Sequence, residues 1–494
     1  HLSESLKLSE RSALPQILPF SAKTEQALEQ ASANLTAFFE KNPTISLADA
    51  AFTLATGRQH FPKRAAFLAF PGKEKLELVA PQSPITNHKS PIVFLFPGGG
   101  AQYVNMARDL LYEANPTFRR HVEECFEILE KQHDVHLRDL VFPSATTADS
   151  TSSVVSSSAN LEQPSLALAS LFTIEYSLAK LWQSWGIQPA ELIGHSAGEY
   201  AAACLAGVMS LEAAIGLVTV RGKLFETLPG NGGMLSVALT EEKLRPFLAQ
   251  PQSPPTPKGG QTQASPPTLG GEQTQDELTI SVFNKIDSLV VSGTAQAIDS
   301  LQERLTQAGV DCSKIHINVA AHSPQIEPIL PAFRKYLETV ELHPPKIPIV
   351  SNVTGTWLTD AEATSVDYWL RHLRQPVRFA DGLATLMSPS SLIPHTSYLT
   401  NRIFLEVGPG QTLSTFVRGF PTLEKPLVFA SVRHPKEVKN DEEFILKTLA
   451  RLWVSGVEVD WQGYFEHEKR RRIPLSTYPF ERKKFFIPPK PPRA

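Results

Sequence analysis

Gly194-His195-Ser196-Ala197-Gly198 is a G-x-S-x-G set between a short apolar run, 191–193, and a segment of small residues, AGEYAAACLAGV. Glycines on both sides allow a tight, strained turn that lifts the Ser196 hydroxyl over a sheet edge. The same turn puts that oxygen at a helix N-terminus, where free N–H groups and the dipole favour developing negative charge. This is the setting of a serine nucleophile; Gly-Ser-Gly clusters also occur in ordinary turns, so the flanking strand and helix carry the assignment. A serine needs a base, and the chain has 14 histidines. His195 is expected to point away from the hydroxyl and pack locally. His322, in Val319-Ala320-Ala321-His322-Ser323-Pro324, follows the last strand of a small β-rich stretch, where the chain returns to the larger body and a cleft can form. Spacing alone leaves it open whether His322 is that base or a surface or satisfied core histidine.

Other chemistries find no motif. G-x-x-x-x-G-K-[ST] and H-E-x-x-H are absent, and neither Gly98-Gly99-Gly100 nor Gly230-Asn231-Gly232-Gly233 completes G-x-G-x-x-G. His467-Glu468 runs into Lys469-Arg470-Arg471-Arg472, a solvated charge run and not a metal site. The three cysteines, Cys125, Cys204 and Cys312, are too few and too scattered for a disulfide framework or zinc, and read as small core residues in a reducing cytoplasm.

The elements that must position Ser196 alternate between strand and helix. Residues 91–96 (PIVFLF) and 191–193 each enter a glycine cluster, which suggests a parallel sheet with helices on both faces. Between them and His322 the pattern changes: strands at 234–238, 279–283, 288–291 and 313–317, with helices at 240–248 and 294–308. The order βαββαβ is that of a ferredoxin-like module inserted in the larger body. Polar, turn-forming stretches at 144–159 and about 250–276 read as surface loops, the second disordered. The first ninety residues hold helices at 23–42 and 47–56 and strands at 64–70 and 75–79. The last sixty end in proline-punctuated extended segments that must lie on something else.

At 494 residues, with 42% hydrophobic and 20% charged side chains, the chain is expected to fold as about three soluble globular units. A formal net charge of -3 provides no field for nucleic acid or anionic lipid, and no apolar run reaches the ~18 residues of a membrane span. The polar start is unlike a signal peptide, and a chain beginning with His is expected to be an excised fragment of a cytoplasmic protein.

Six segments in order carry a resemblance: FPGGGAQY (96–103), GHSAGEY (194–200), VTVRGKL with Arg221, VAAHSP around His322, YWLRHLRQPVRF (368–379) and FLEVGPGQTL (404–413). Together they resemble the malonyl-CoA:acyl-carrier-protein transacylases, above all the acyltransferase domains of modular type I polyketide synthases. LPFSAKTEQAL resembles the linker between ketosynthase and acyltransferase, and RRRIPLSTYPFERKKFF the segment after the acyltransferase. The resemblance implies an α/β fold: a hydrolase-like parallel-sheet large subdomain (90–228 and 322–430), an inserted ferredoxin-like small subdomain (229–321), an α/β N-terminal linker domain (1–89) and a post-acyltransferase linker (431–494).

It further implies Ser196 as the acylated nucleophile and His322 as its base, oriented by a main-chain carbonyl at His372. The implied oxyanion hole is the N–H pair of Gly99, where the family usually has Gln, and Ala197. Arg221 is implied to fork onto the free carboxylate of a malonyl-type group. Gln163 is implied near the pocket, and Ala321 beside the acyl α-carbon. The expected donor is acyl-CoA, with no bound cofactor and no metal. The expected partners are an acyl carrier protein and a ketosynthase domain, with no nucleic acid or membrane. Relatives taking malonyl often carry His-Ala-Phe-His before the base and those taking methylmalonyl Tyr-Ala-Ser-His; Val319-Ala320-Ala321-His322 matches neither, and malonyl is expected narrowly. A serine hydrolase or thioesterase, and a non-catalytic scaffold, are the other readings.

Overall fold

The computed structural model describes residues 15–70, 76–80, 90–108, 115–143, 161–249, 278–315, 319–388, 402–421, 426–437 and 440–481. The expected loops at 144–159 and about 250–276, and the end of the expected strand at 317, lie outside these residues. The chain divides into two compact units, one from 1–90, 182–187 and 442–494, the other from 91–181 and 188–441.

The first unit is built on an antiparallel sheet, β1 (Gln16–Ala22), β2 (Lys63–Ala69) and β3 (Glu77–Val79), in that order. Helix Glu25–Lys41 is capped by the Thr24 side chain and Leu47–Thr56 by that of Ser46. The N-terminal stretch, 182–187 and the C-terminal stretch form one body, with its boundary at 441/442 where 430/431 was expected. Its C-terminal part packs there through buried Arg64, which donates to the Val457 carbonyl at 2.9 Å, pairs with Glu458 and lies 4.0 Å over the Trp453 ring. The terminal stretch also lies on this unit: Ile473 N–H donates to Thr53 Oγ1 at 3.0 Å and Lys23 N–H to the Tyr478 hydroxyl at 3.1 Å.

The second unit holds β4 (Ile92–Phe96), β5 (Glu191–Gly194), β6 (Gly232–Val237), β7 (Thr279–Lys285), β8 (Ser288–Thr294), β9 (Cys312–Ile315), β10 (Ile349–Val350), β11 (Ile403–Glu406) and β12 (Leu427–Ala430). Five form a parallel sheet ordered β10-β5-β4-β11-β12. Every residue of β4 and β5 is buried, as strands covered on both faces must be, which is why β4 reads as a continuous apolar run; β5 carries one charged residue, Glu191, before Leu192 and Ile193. The chain leaves β4 toward β5 on one side and β11 toward β12 on the other, so the carboxyl ends of β4 and β11 flank a crevice.

The other four strands make an antiparallel sheet, β7-β8-β6-β9, and with helices Glu241–Leu248 and Ala295–Gln307 they form the ferredoxin-like insertion. Its own core includes Leu235, Val237, Leu289, Val291, Ile298 and Leu301. Val377 ties β7 to the larger body, donating to the Ser281 carbonyl and accepting from Phe283 N–H. Among the described residues no helix is long and apolar enough to cross a membrane.

Candidate active site

Strand β5 stops at Gly194, and helix Gly198–Leu205 begins four residues on. Ser196 between them holds φ 50°, a left-handed conformation uncommon for a residue with a side chain. Glycine is obligatory on either side: a Cβ at Gly194 would collide with Glu199 N, and one at Gly198 with the Phe96 carbonyl oxygen. The turn is closed by His195 N–H to Phe96 O (2.9 Å) and Gly198 N–H to His195 O (3.0 Å). A residue unsuspected from sequence braces it from below. The Asn352 amide accepts from Ser196 N–H at 2.6 Å and donates to the Gly194 carbonyl at 2.7 Å.

His322, buried and itself at φ 57°, brings Nε2 to 2.7 Å from Ser196 Oγ. Its Nδ1 donates to the Gln375 carbonyl at 3.0 Å, which leaves Nε2 unprotonated and able to accept the serine proton. The expectation of His372 as the orienting carbonyl is thus corrected to Gln375. Helix Val366–Arg374 ends one residue earlier, and Gln375, extended at ψ 160°, turns its carbonyl out of the helix toward the ring. The His372 carbonyl lacks a helical donor, since position 376 is proline, and acts on the ring only as a lesser partner. Burial first, then the Arg221 charge, pulls the His322 pKa down to about 3.

Arg221 lies on helix Leu211–Phe225 and is only 2% exposed. Its Nη2 donates to Ser196 Oγ at 3.0 Å, while Nε and Nη1 have no hydrogen-bond partner among the described residues. The Tyr200 and Phe225 rings lie 5.7 and 5.4 Å from the guanidinium, so aromatic faces stand where a carboxylate would be expected. Ser196, His322 and Arg221 open onto one cavity of about 310 Å³, whose apolar wall includes Leu168, Phe225, Met234, Val290, Ala321 and Phe416.

Gly99 lines the same cavity, and a Cβ there would meet only Leu168 at an ordinary 3.7 Å, so a larger residue is sterically allowed. Neither Gly99 N–H nor Ala197 N–H has an acceptor among the described residues, whereas the N–H of Ser196 is already taken by Asn352. Ala321 is in the wall as expected. Gln163 is not: it sits on the surface before helix Pro164–Ser184, with its side chain donating to Glu226 at 3.1 Å, and the expectation of a pocket role is corrected. His195 does not address the serine hydroxyl. Its Nε2 meets Asn284 Oδ1 of β7 at 2.8 Å, a link to the insertion that the sequence did not suggest.

A buried carboxylate lies behind the elbow. Glu199 accepts from Asn352 N–H at 2.7 Å and from the Tyr368 hydroxyl, and burial pushes its pKa up to about 8. Asn284, Asn352 and Gln375 are amides whose positions follow no period; only their place at strand and helix ends could have drawn notice.

Two family models match: an acyl transferase domain over residues 93–255 and 258–398, and a CurL-like polyketide synthase C-terminal segment over 16–77. A phenolphthiocerol/phthiocerol polyketide synthase protein of Mycobacterium tuberculosis is 31% identical over 96% of this chain, which spans 30% of that protein. Among solved structures, the acyl transferase domain of ZmaA is 33% identical with a TM-score of 0.77, covering 94% of this chain and 99% of that one. The acyl transferase domain of SpnD, in complex with 2-(pent-4-yn-1-yl)malonyl, is 32% identical with a TM-score of 0.71, over 90% and 96% of the two chains. Through the span of these matches, this chain belongs to the acyl transferase domain family, as an acyltransferase domain of the polyketide synthase type.

Proposed function

We propose that the chain loads an acyl group, malonyl by preference, from acyl-CoA onto the phosphopantetheine thiol of an acyl carrier protein during polyketide synthesis. The observation that carries this reading is Arg221: a buried guanidinium with two unpartnered nitrogens, its third 3.0 Å from the nucleophile. A buried cation lacking its own carboxylate favours a ligand that brings one. Malonyl carries a carboxylate at the length of one methylene from the carbonyl under attack.

The reaction runs as two displacements through a Ser196–His322 dyad. Oγ attacks the thioester carbonyl while its proton passes to His322 Nε2, and the Gly99 and Ala197 N–H groups receive the oxyanion. The C–S bond breaks, CoA leaves with the proton returned by His322, and an acyl-Ser196 ester remains. The carrier thiol then gives its proton to His322 and attacks the ester carbonyl; the C–Oγ bond breaks, and His322 returns the proton to Ser196 Oγ as the acyl thioester leaves. Gln375 holds the imidazole in the required tautomer throughout, the part an aspartate plays in a triad. In this reading residues 1–89 and 431–494 are linkers, and a ketosynthase domain is the neighbour they serve.

A second acyl selectivity rests on Ala321. Where an aromatic ring would fill the space beside the acyl α-carbon, Ala321 leaves room for a branch, and the SpnD domain holds a branched malonyl group. Extra space discriminates weakly, roughly 1–3 kcal/mol per methylene, so malonyl remains the preferred substrate. Mass spectrometry after incubation with malonyl-CoA is expected to find the adduct on Ser196. No adduct would leave the scaffold reading, and rapid release of free acid in the presence of a carrier would favour a hydrolase. Competition between malonyl-CoA and methylmalonyl-CoA, read as kcat/KM, decides the selectivity.

A further inference from the structure

The parallel ladder between β5 and β10 pairs Leu192 with Ile349 and Ile193 with Val350, and there its backbone part ends. β5 runs on into the elbow, while the other chain turns away through Ser351 N–H to Thr356 O and Gly355 N–H to Ser351 O. The next two polar groups of the elbow, the Gly194 carbonyl and the Ser196 N–H, would be left buried without partners. The Asn352 side chain meets both, at 2.7 and 2.6 Å, donating through Nδ2 and accepting through Oδ1. A primary amide has the donor and acceptor of a peptide group, so Asn352 extends the ladder by one rung where no backbone reaches.

Asn352 is itself held on both sides. Its N–H donates to Glu199 Oε2 at 2.7 Å, and its carbonyl accepts from Arg378 N–H at 2.9 Å. Glu199 stands on the helix that follows the nucleophile, and Arg378 belongs to the stretch 375–378 whose first carbonyl orients His322. Asn352 therefore joins the backbone that strains Ser196 to the backbone that aims its base. We propose that Asn352 is a positioning residue for the nucleophile: its amide holds Ser196 in the left-handed turn, and by occupying the Ser196 N–H it leaves Ala197 N–H and Gly99 N–H as the donors facing the oxyanion.

This rests on Ser196 being the nucleophile of the proposed transfer, so the test uses two reagents on the full chain. Acylation of Ser196 by malonyl-CoA is followed in single turnovers, and inactivation by a fluorophosphonate reports the nucleophile without acyl recognition. Asn352→Ala should slow both roughly 30- to 100-fold, as two buried hydrogen bonds of ordinary strength imply, with the half-saturating malonyl-CoA concentration within about threefold of wild type. Asn352→Asp supplies the control that a packing role would not satisfy. Its ionised carboxylate can accept from Ser196 N–H but cannot donate to the Gly194 carbonyl; the protonated acid can do both. Asn352→Asp should therefore be slow at pH 8 and regain rate relative to wild type as the pH falls toward 5.

Rates within threefold of wild type for both variants at pH 8 would overturn the proposal. So would loss of acylation with unchanged fluorophosphonate labelling, or an Asp variant whose deficit does not depend on pH. If the Ala variant does not fold, the acid recovery of the Asp variant decides. Asn352-dependent labelling in a chain that accepts no acyl-CoA would sink the transferase reading and leave the positioning role standing.

Discussion

Strand β5 has a buried arginine near each end. At its first residue, Glu191 receives a two-pronged pair from Arg402, Nε to Oε2 at 2.7 Å and Nη2 to Oε1 at 2.9 Å, with both side chains out of solvent. Beyond its last residue, Arg221 is buried as deeply, yet only its Nη2 is bonded, to Ser196. Desolvation costs are similar in kind, but one guanidinium has its counter-ion in the fold and the other has aromatic rings and a cavity. The amino end of the parallel sheet is closed upon itself, whereas the carboxyl end keeps an unmet electrostatic demand where a substrate can enter. Burial marks an arginine as important; the state of its partners says for what.

The sharpest test separates the two residues by what they lose. Arg221→Ala should reduce malonyl loading by about 10³-fold, the scale of truncating one member of a desolvated charge pair, while acetyl loading persists or improves. Stability should hold or rise, because an unpaired buried cation has been removed. Arg402→Ala should do the reverse. It leaves Glu191 buried without its partner, at a cost of about 3 kcal/mol in denaturant unfolding, with kinetics per folded molecule unchanged. Equal loss of malonyl and acetyl loading in Arg221→Ala would make that arginine structural and erase the contrast.

A smaller effect follows from the reach of the unpaired charge. His322 is held near a pKa of about 3 by burial and then by Arg221, so the base stays neutral across the ordinary range. Its folded value lies below the unfolded 6.5: the unfolded chain binds the proton more readily, and stability from this group is lost as pH falls from 6.5 toward 3. His195 and His372 are lowered in the same way, chiefly by burial. Glu199, raised to about 8, opposes them between its unfolded value near 4.5 and 8. In Arg221→Ala the His322 pKa should rise, by up to about one unit, so the acid limb of acetyl loading should move up by that much, with a rate at pH 5 still close to that at pH 8 and a loss of roughly threefold relative to wild type near pH 3.5. Arg402→Ala should leave the profile where it is.

How much of this contrast could be read beforehand differs between its ends. The elbow is local: five consecutive residues and the apolar run before them dictate strand, turn and helix, and Ser196 follows. The ferredoxin-like insertion is legible for the same reason, since each element has its own period and cap. Arg221 and His322 needed the ordered motifs, because helix position alone cannot show whether a guanidinium is buried or free. Asn352 and the Arg402–Glu191 pair depend on contacts between residues 156 and 211 positions apart, and Gln375 on where a helix happens to stop, and no pattern along the chain encodes those. The same holds for the first unit, whose two ends make one body through Arg64 and Trp453.

Exposed arginines complete the series with the least effect. The run Lys469 to Arg472 is the densest basic stretch, a candidate surface for an acidic carrier or for a neighbouring domain. Much of it is engaged within its own unit. Arg470 pairs with Glu468, the Arg471 N–H donates to Asp49 Oδ1 at 3.1 Å, and Arg472 Nη2 donates to the Thr56 carbonyl at the end of helix Leu47–Thr56 at 3.2 Å. A partly exposed ion pair such as Arg470–Glu468 contributes about 0–1 kcal/mol, less at high salt. Arg470→Ala should then shift the denaturation midpoint only slightly and leave self-acylation of Ser196 unchanged. The informative readout is the KM for an acyl carrier protein at low and high salt. A KM within twofold of wild type at both, for Arg470→Ala and Arg471→Glu, would assign the run to packing and to the neighbouring domain. A several-fold rise that disappears at high salt would place the carrier on this face, because attraction between exposed charges is screened and a packing contact is not.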